Sequence, residues 1–167
     1  SPTTASRTVA WRMLLPVLTE CGLDYETNPA ATDVMSLIND SASVVVYHFK
    51  AVYARARPWQ ATACGKTVAA LFPPGHVLHP GHGSYPSGHA TVAHCWAELL
   101  GTLLNDPFRK KRARKAADHV ARRREVAGLH FESDSTAGRA LGVAIAKRIL
   151  AANRLTDVQI EALLRPS

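Results

Sequence analysis

The sequence predicts an all-α fold in one domain spanning residues 1–167. Three observations carry this. Apolar residues recur at helical spacing through most of the chain. Capping residues, Ser, Asp or Thr, stand ahead of the apolar runs. Strand signals are sparse, and the β-branched run Val44-Val45-Val46-Tyr47 sits inside a longer helical period.

Taken in order, Val9 to Leu18 forms a first helical pattern that Pro16 kinks or ends. A second helix is expected from about Ala31 to Ala56, on the period of Val34, Leu37, Ile38, Val45, Val46, Phe49 and Val52. Pro58 ends it. From Trp59 to Pro86 the chain is rich in Pro, Gly and His with little periodicity, a long loop of the kind that usually carries function. Ser87 then stands near the N-terminus of a buried helix, Ala90 to Leu104. After the Asn105-Asp106-Pro107 break a basic helix runs to about Val126, followed by a turn at Gly128. Asp134-Ser135 cap a further helix to Leu150, and Thr156-Asp157 a short last one to Leu164.

The 167 residues suffice for one core, and 47% hydrophobic with 20% charged residues is the balance of a globular protein rather than a disordered one. No apolar run reaches membrane-spanning length. The chain reads as soluble and cytoplasmic, or as periplasmic or secreted if a signal peptide once preceded Ser1. A formal charge of +7 favours anionic partners, yet nine of the twenty Lys and Arg fall between Arg109 and Arg124, where a solvated helix face explains them. With few aromatics interleaved, nucleic-acid binding is not expected as the main function. Cys21, Cys64 and Cys95 suggest neither a disulfide framework nor a zinc site, and no metal is expected. Cys95 reads as a buried hydrophobe, and one bridge between Cys21 and Cys64 stays open, as does homo-oligomerisation.

Three separated segments hold the parts needed to grip a tetrahedral oxyanion and break one of its bonds. Lys50 and Arg57 are seven apart, so a helix carries both on nearly one face, a point charge beside a planar fork. Ser87 and Gly88 open a helix, where free N–H groups favour an anion, and His89 in the first turn suits a general acid. His130 and Asp134 are four apart, close enough for the carboxylate to fix the imidazole tautomer and free Nε2 as a nucleophile. Arg124 completes a cage of cations. His82 and Trp59 are candidates for the substrate pocket. The commoner reading of each is a polar loop residue, alongside His76 and His79, and a core tryptophan.

In order and spacing, Lys50-(six residues)-Arg57-Pro58, Pro86-Ser87-Gly88-His89 and Arg124-(five residues)-His130-(three residues)-Asp134 resemble the three-part signature of the type 2 phosphatidic acid phosphatase (PAP2) superfamily. That superfamily joins soluble bacterial class A acid phosphatases, which this chain resembles most through Gly83-Ser84-Tyr85 and Ser133-Asp134, with membrane lipid phosphatases and vanadium-dependent haloperoxidases. The resemblance implies the helical bundle of those enzymes. It implies a phosphohistidine on His130, oriented by Asp134, with His89 protonating the leaving group, and Lys50, Arg57, Ser87, Gly88 and Arg124 holding the phosphoryl oxygens. The implied activity is metal-independent hydrolysis of phosphomonoesters, small or lipid-derived, without a cofactor. The alternative is a haloperoxidase, in which vanadate sits on His130 and His82 matches an extra histidine of algal bromoperoxidases. Arg123 departs from the family, which usually has Ser before the third-motif Arg. The short chain favours the phosphatase.

Overall fold

The computed structural model describes residues 14–23, 29–61, 68–69, 71 and 80–165. Six helices lie among them: α1 (Leu15–Glu20), α2 (Pro29–Tyr53), α3 (Gly88–Leu103), α4 (Pro107–Val126), α5 (Glu132–Ala151) and α6 (Asp157–Leu164). No strand occurs among the described residues, and Val44 to Tyr47 is helical.

Helix α3 is the axis of the molecule. Ala93, Cys95, Trp96, Ala97, Leu99 and Leu100 are all fully buried, and the helix packs most extensively against α5 and then α4. Val17 and Leu18 of α1, Met35 and Ile38 of α2, Val120 of α4 and Leu163 of α6 complete the core around it. A helix enclosed on every side must satisfy its polar groups internally. His94 places Nδ1 2.8 Å from the Ala90 carbonyl oxygen and Nε2 3.0 Å from Asp118, while Glu98 accepts from Lys110 at 2.9 Å and Arg114 at 2.5 Å. The basic segment is thus partly an inward device. Arg112 also pairs with Glu20, Arg124 near the end of α4 is turned partly inward, and Lys111, Lys115, Arg122 and Arg123 are exposed as a charged helix surface should be.

The contact between α3 and α5 is unusually close. A Cβ on Gly138 would lie 2.6 Å from the Ser87 carbonyl oxygen, and one on Gly142 would overlap the Thr91 carbonyl oxygen and lie 2.9 Å from the Cys95 nitrogen. Four residues apart, the two glycines let the backbones meet and set the N-termini of α3 and α5 side by side. The Ser87 N–H donates to the Asp134 carbonyl oxygen at 3.0 Å, joining those two ends.

Most boundaries match the sequence pattern, with three differences. Pro16 lies in the first turn of α1, where its missing N–H is harmless, so it starts the helix and does not end it; residues 1–13 lie outside the described chain. Helix α2 stops at Tyr53, because Ala54 turns into the left-handed region at φ 42°, before Pro58 can act. Asp134 is not a cap residue: Phe131 occupies the cap position and Asp134, three residues on, accepts the Phe131 N–H at 2.9 Å. Cys21 is a free buried thiol, so it is not bridged to Cys64, which lies outside the described residues. Cys95 is the expected buried thiol, with burial pushing its pKa up to about 12.

Candidate active site

The sequence placed Lys50 and Arg57 on one helix face. The structure brings them together differently. Lys50 sits in the last turn of α2, whereas Arg57 follows the reversal at Ala54 and returns along non-helical chain. Both are buried, at 5% and 1% exposure. Lys50 Nζ donates to the carbonyls of Gly83 at 2.8 Å and Ser84 at 3.2 Å. Arg57 donates through Nη1 to Leu129 O at 2.6 Å, through Nε to His82 O at 3.0 Å and through Nη2 to Gly83 O at 3.3 Å. These two cations therefore also stitch the loop before α3 to the loop before α5.

Ser87 is the N-cap of α3, fully buried, its Oγ accepting the Ala90 N–H at 3.4 Å. A Cβ on Gly88 would meet only Val46 at 3.5 Å, ordinary contact. Packing within the protein thus does not require glycine there, and the open space lies at the helix N-terminus where an anion is favoured. His89 follows in the first turn. Its pKa is pushed down to about 3, first by burial and then by Arg124, His130, Lys50 and Arg57. His130 is lowered to about 4, first by burial, with Arg57 and Lys50 adding to the fall and Asp134 opposing it. Lys50 falls to about 8 and Arg124 to about 10, burial first and the Arg57 charge second in each. Each positive charge in this cluster therefore raises the cost of another.

His130 Nδ1 lies 3.4 Å from Asp134 Oδ2 and has no closer partner, an ion-pair distance slightly too long for a hydrogen bond. Asp134 is fully buried, and its pKa is held below the usual carboxylate value: burial alone would raise it, but His130, the Phe131 N–H and Arg55 outweigh that.

The remaining candidates are brought in as well. His82 lies on the rim, its Nδ1 3.2 Å from Arg57 Nη2 and its ring edge-on to Tyr47, so it is no free loop histidine; burial lowers its pKa. His76 and His79 lie outside the described residues. Trp59 is not in the core: it is half-buried, with the Arg57 guanidinium 5.4 Å over its ring. One residue the sequence reading passed over is Arg55, which donates to Asp134 Oδ1 at 2.8 Å. Read as helix, Arg55 and Arg57 point far apart; as extended chain ahead of a proline, residues two apart share a side.

Two neutral histidines held below their ordinary value imply a pH-dependent stability. Between the folded values and about 6.5 the unfolded chain binds protons that the folded chain refuses. Stability therefore falls as pH drops through that window. Thermal melts of the anion-free protein are expected to show the loss on going from neutral pH toward pH 4. Inorganic phosphate should recover much of it, and a flat profile would contradict the burial of these rings.

The sequence matches the description "PAP2 superfamily" over residues 34–155. Among solved structures the chain is similar to a transmembrane PAP2 type phosphatidylglycerolphosphate phosphatase from Bacillus subtilis, with a TM-score of 0.57 and 19% identity, over 92% of this chain and 79% of that one. No curated protein matches the chain significantly. Among the described residues here, no helix is long and apolar enough to cross a membrane.

Proposed function

The chain belongs to the PAP2 superfamily, a family of phosphatases acting on phosphoric esters, and from that premise we propose that it hydrolyses phosphomonoesters without a metal through a phosphohistidine on His130. The observation that carries the reading is the crowding of Lys50, Arg57, Arg124, His89 and His130 into one cluster with a single carboxylate, where Arg124 Nε is buried without a hydrogen-bond partner. A bound phosphoryl group relieves that repulsion by supplying the missing negative charge and acceptor oxygens.

In the first step His130 Nε2 forms a bond to phosphorus as the ester P–O bond breaks, and His89 gives its proton to the departing oxygen. Asp134 receives the Nδ1–H, a contact that shortens as the imidazole gains positive charge, since catalytic hydrogen bonds tighten in the reacting complex. In the second step His89 takes a proton from water, whose oxygen attacks phosphorus as the P–N bond breaks. His89 is neutral in the empty site, so it becomes an acid only once the anion is bound. The proton therefore arrives with the substrate, whose second pKa is near 6, and activity is favoured on the acid side of neutrality. The acid-phosphatase likeness rests on this point and on the motif spacing. Small or lipid-derived phosphates both remain within the proposed substrate class.

The test is hydrolysis of an aryl phosphate with chelator present, with vanadate as inhibitor and an acid-labile phosphoenzyme trapped by rapid quench. No phosphate release from a broad panel of monoesters would reject the reading. A second reading, haloperoxidase chemistry, draws on His82 beside Arg57. Vanadate, a phosphate analogue, would occupy the same cage with His130 as its protein ligand and would supply peroxide activation. Halide oxidation dependent on both vanadate and peroxide would favour it.

A further inference from the structure

We propose that Arg55 is a positioning residue for the nucleophile. It grips Asp134 from outside the anion cage, keeping the carboxylate ionised and turned so that Oδ2 faces His130 Nδ1. The inference rests on the phosphohistidine reading for its kinetic consequences only.

Asp134 is fully buried, and a buried carboxylate persists as an anion only where both oxygens are paired. Oδ2 has the Phe131 N–H at 2.9 Å and faces His130 at 3.4 Å. Oδ1 has Arg55 Nη1 at 2.8 Å. Arg55 is itself fixed, for the same Nη1 donates to Ser133 Oγ at 2.7 Å and the guanidinium lies 4.5 Å over the Phe131 ring. Its backbone carbonyl accepts the Ser84 N–H at 2.9 Å. One residue of the first segment thus touches the loop leading to the second and clips the first turn of α5, which carries Asp134 of the third.

Its position differs from that of the cage cations. Lys50 of α2, Arg57 of the chain that follows it, His89 of α3 and Arg124 of α4 all act on one another or on the two histidines, and Lys50 and Arg57 also feel the Asp134 charge. Arg55 acts on Asp134, and its side chain meets Asp134, Ser133 and Phe131 at the start of α5. It is 38% exposed, so replacing it does not open a core cavity.

Removing this cation raises the Asp134 pKa. Because the active form needs the carboxylate ionised, activity is then lost at a higher pH on acidification. Arg55→Gln is expected to lower kcat on the order of 10–100-fold, by analogy with losing the partner that orients a metal-ligating side chain, with KM and vanadate inhibition unchanged and the acid limb of the pH profile moved upward. Arg55→Lys should recover part of both. Arg55→Ala should regain turnover on adding free guanidinium at non-denaturing concentration, which a purely structural role would not permit. A wild-type pH profile and kcat in Arg55→Gln, or no guanidinium rescue in Arg55→Ala, overturns the inference. If the wild type releases no phosphate at all, that failure belongs to the phosphatase reading. Nitrogen-15 NMR of His130 then decides, an unchanged Nδ1–H population in Arg55→Gln being the overturning result.

Discussion

Replacing His130 by Ala is expected to abolish turnover of every phosphomonoester the protein accepts, by about 10⁴-fold or more, as for other residues that act as the attacking member of a catalytic unit. The same variant should yield no acid-labile phosphoenzyme, while keeping measurable affinity for inorganic phosphate through Lys50, Arg57 and Arg124. His130 is 5% exposed, and its Nδ1 has no hydrogen-bond partner at normal distance, so the truncation strands no donor or acceptor except on the already paired Asp134. Truncating a buried ring leaves a cavity, so stability should fall near neutral pH, and the deficit should shrink as pH falls because one refused proton is removed. Rapid quench and thermal melts measure the two parts separately. Retention of full activity would sink the histidine-nucleophile mechanism.

The largest stability effect is expected at Gly142. Leaving glycine in a helix ordinarily gains about 1 kcal/mol in propensity. At Gly142 the added Cβ overlaps the Thr91 carbonyl oxygen and crowds the Cys95 nitrogen, both backbone atoms of the central helix that cannot rotate away. Overpacking of this sort costs about 1–3 kcal/mol and occasionally more, so it outweighs the propensity gain. Gly142→Ala should be less stable than wild type in urea denaturation, and Gly142→Val less stable again by the upper end of that range. An increase in the urea midpoint for the alanine variant would show that α3 and α5 can separate at little cost. Activity is a second readout, since any separation moves His89 and His130 apart.

The helices were legible where chemistry marks their ends. Asp106 accepts the N–H groups of Phe108 and Arg109 ahead of Pro107, and Thr156 exchanges bonds with Gln159, both as their sequence positions imply. Gly128, at φ 68°, closes α4 where a turn was expected. The eight catalytic and phosphate-binding candidates were named from the chemistry of each segment and grouped by their likeness to the PAP2 signature, and Lys50, Arg57, His89, Arg124, His130 and Asp134 lie close enough to shift one another's charge. Hidden from the sequence was anything decided by tertiary contact. Ala54 has no side-chain feature that advertises a left-handed turn, so α2 was extended past it and Arg55 was given no part in the site. Gly138 and Gly142 look like flaws in a helix until the opposing backbone is seen. Trp59 carries enough apolar surface for a core, yet faces a guanidinium instead.

The bonds of Arg57 bear on how the protein reaches this state. They join residues 25 and 72 positions apart, and those of Arg55 span 78 and 79. Closing such separations loses chain entropy before any contact compensates. None of the three segments can hold an oxyanion alone, and a fragment ending before Leu129 lacks the carbonyl that anchors Arg57. Assembly of the site is thus expected only after the distant segments have met, and phosphate binding should then report that the whole bundle has formed.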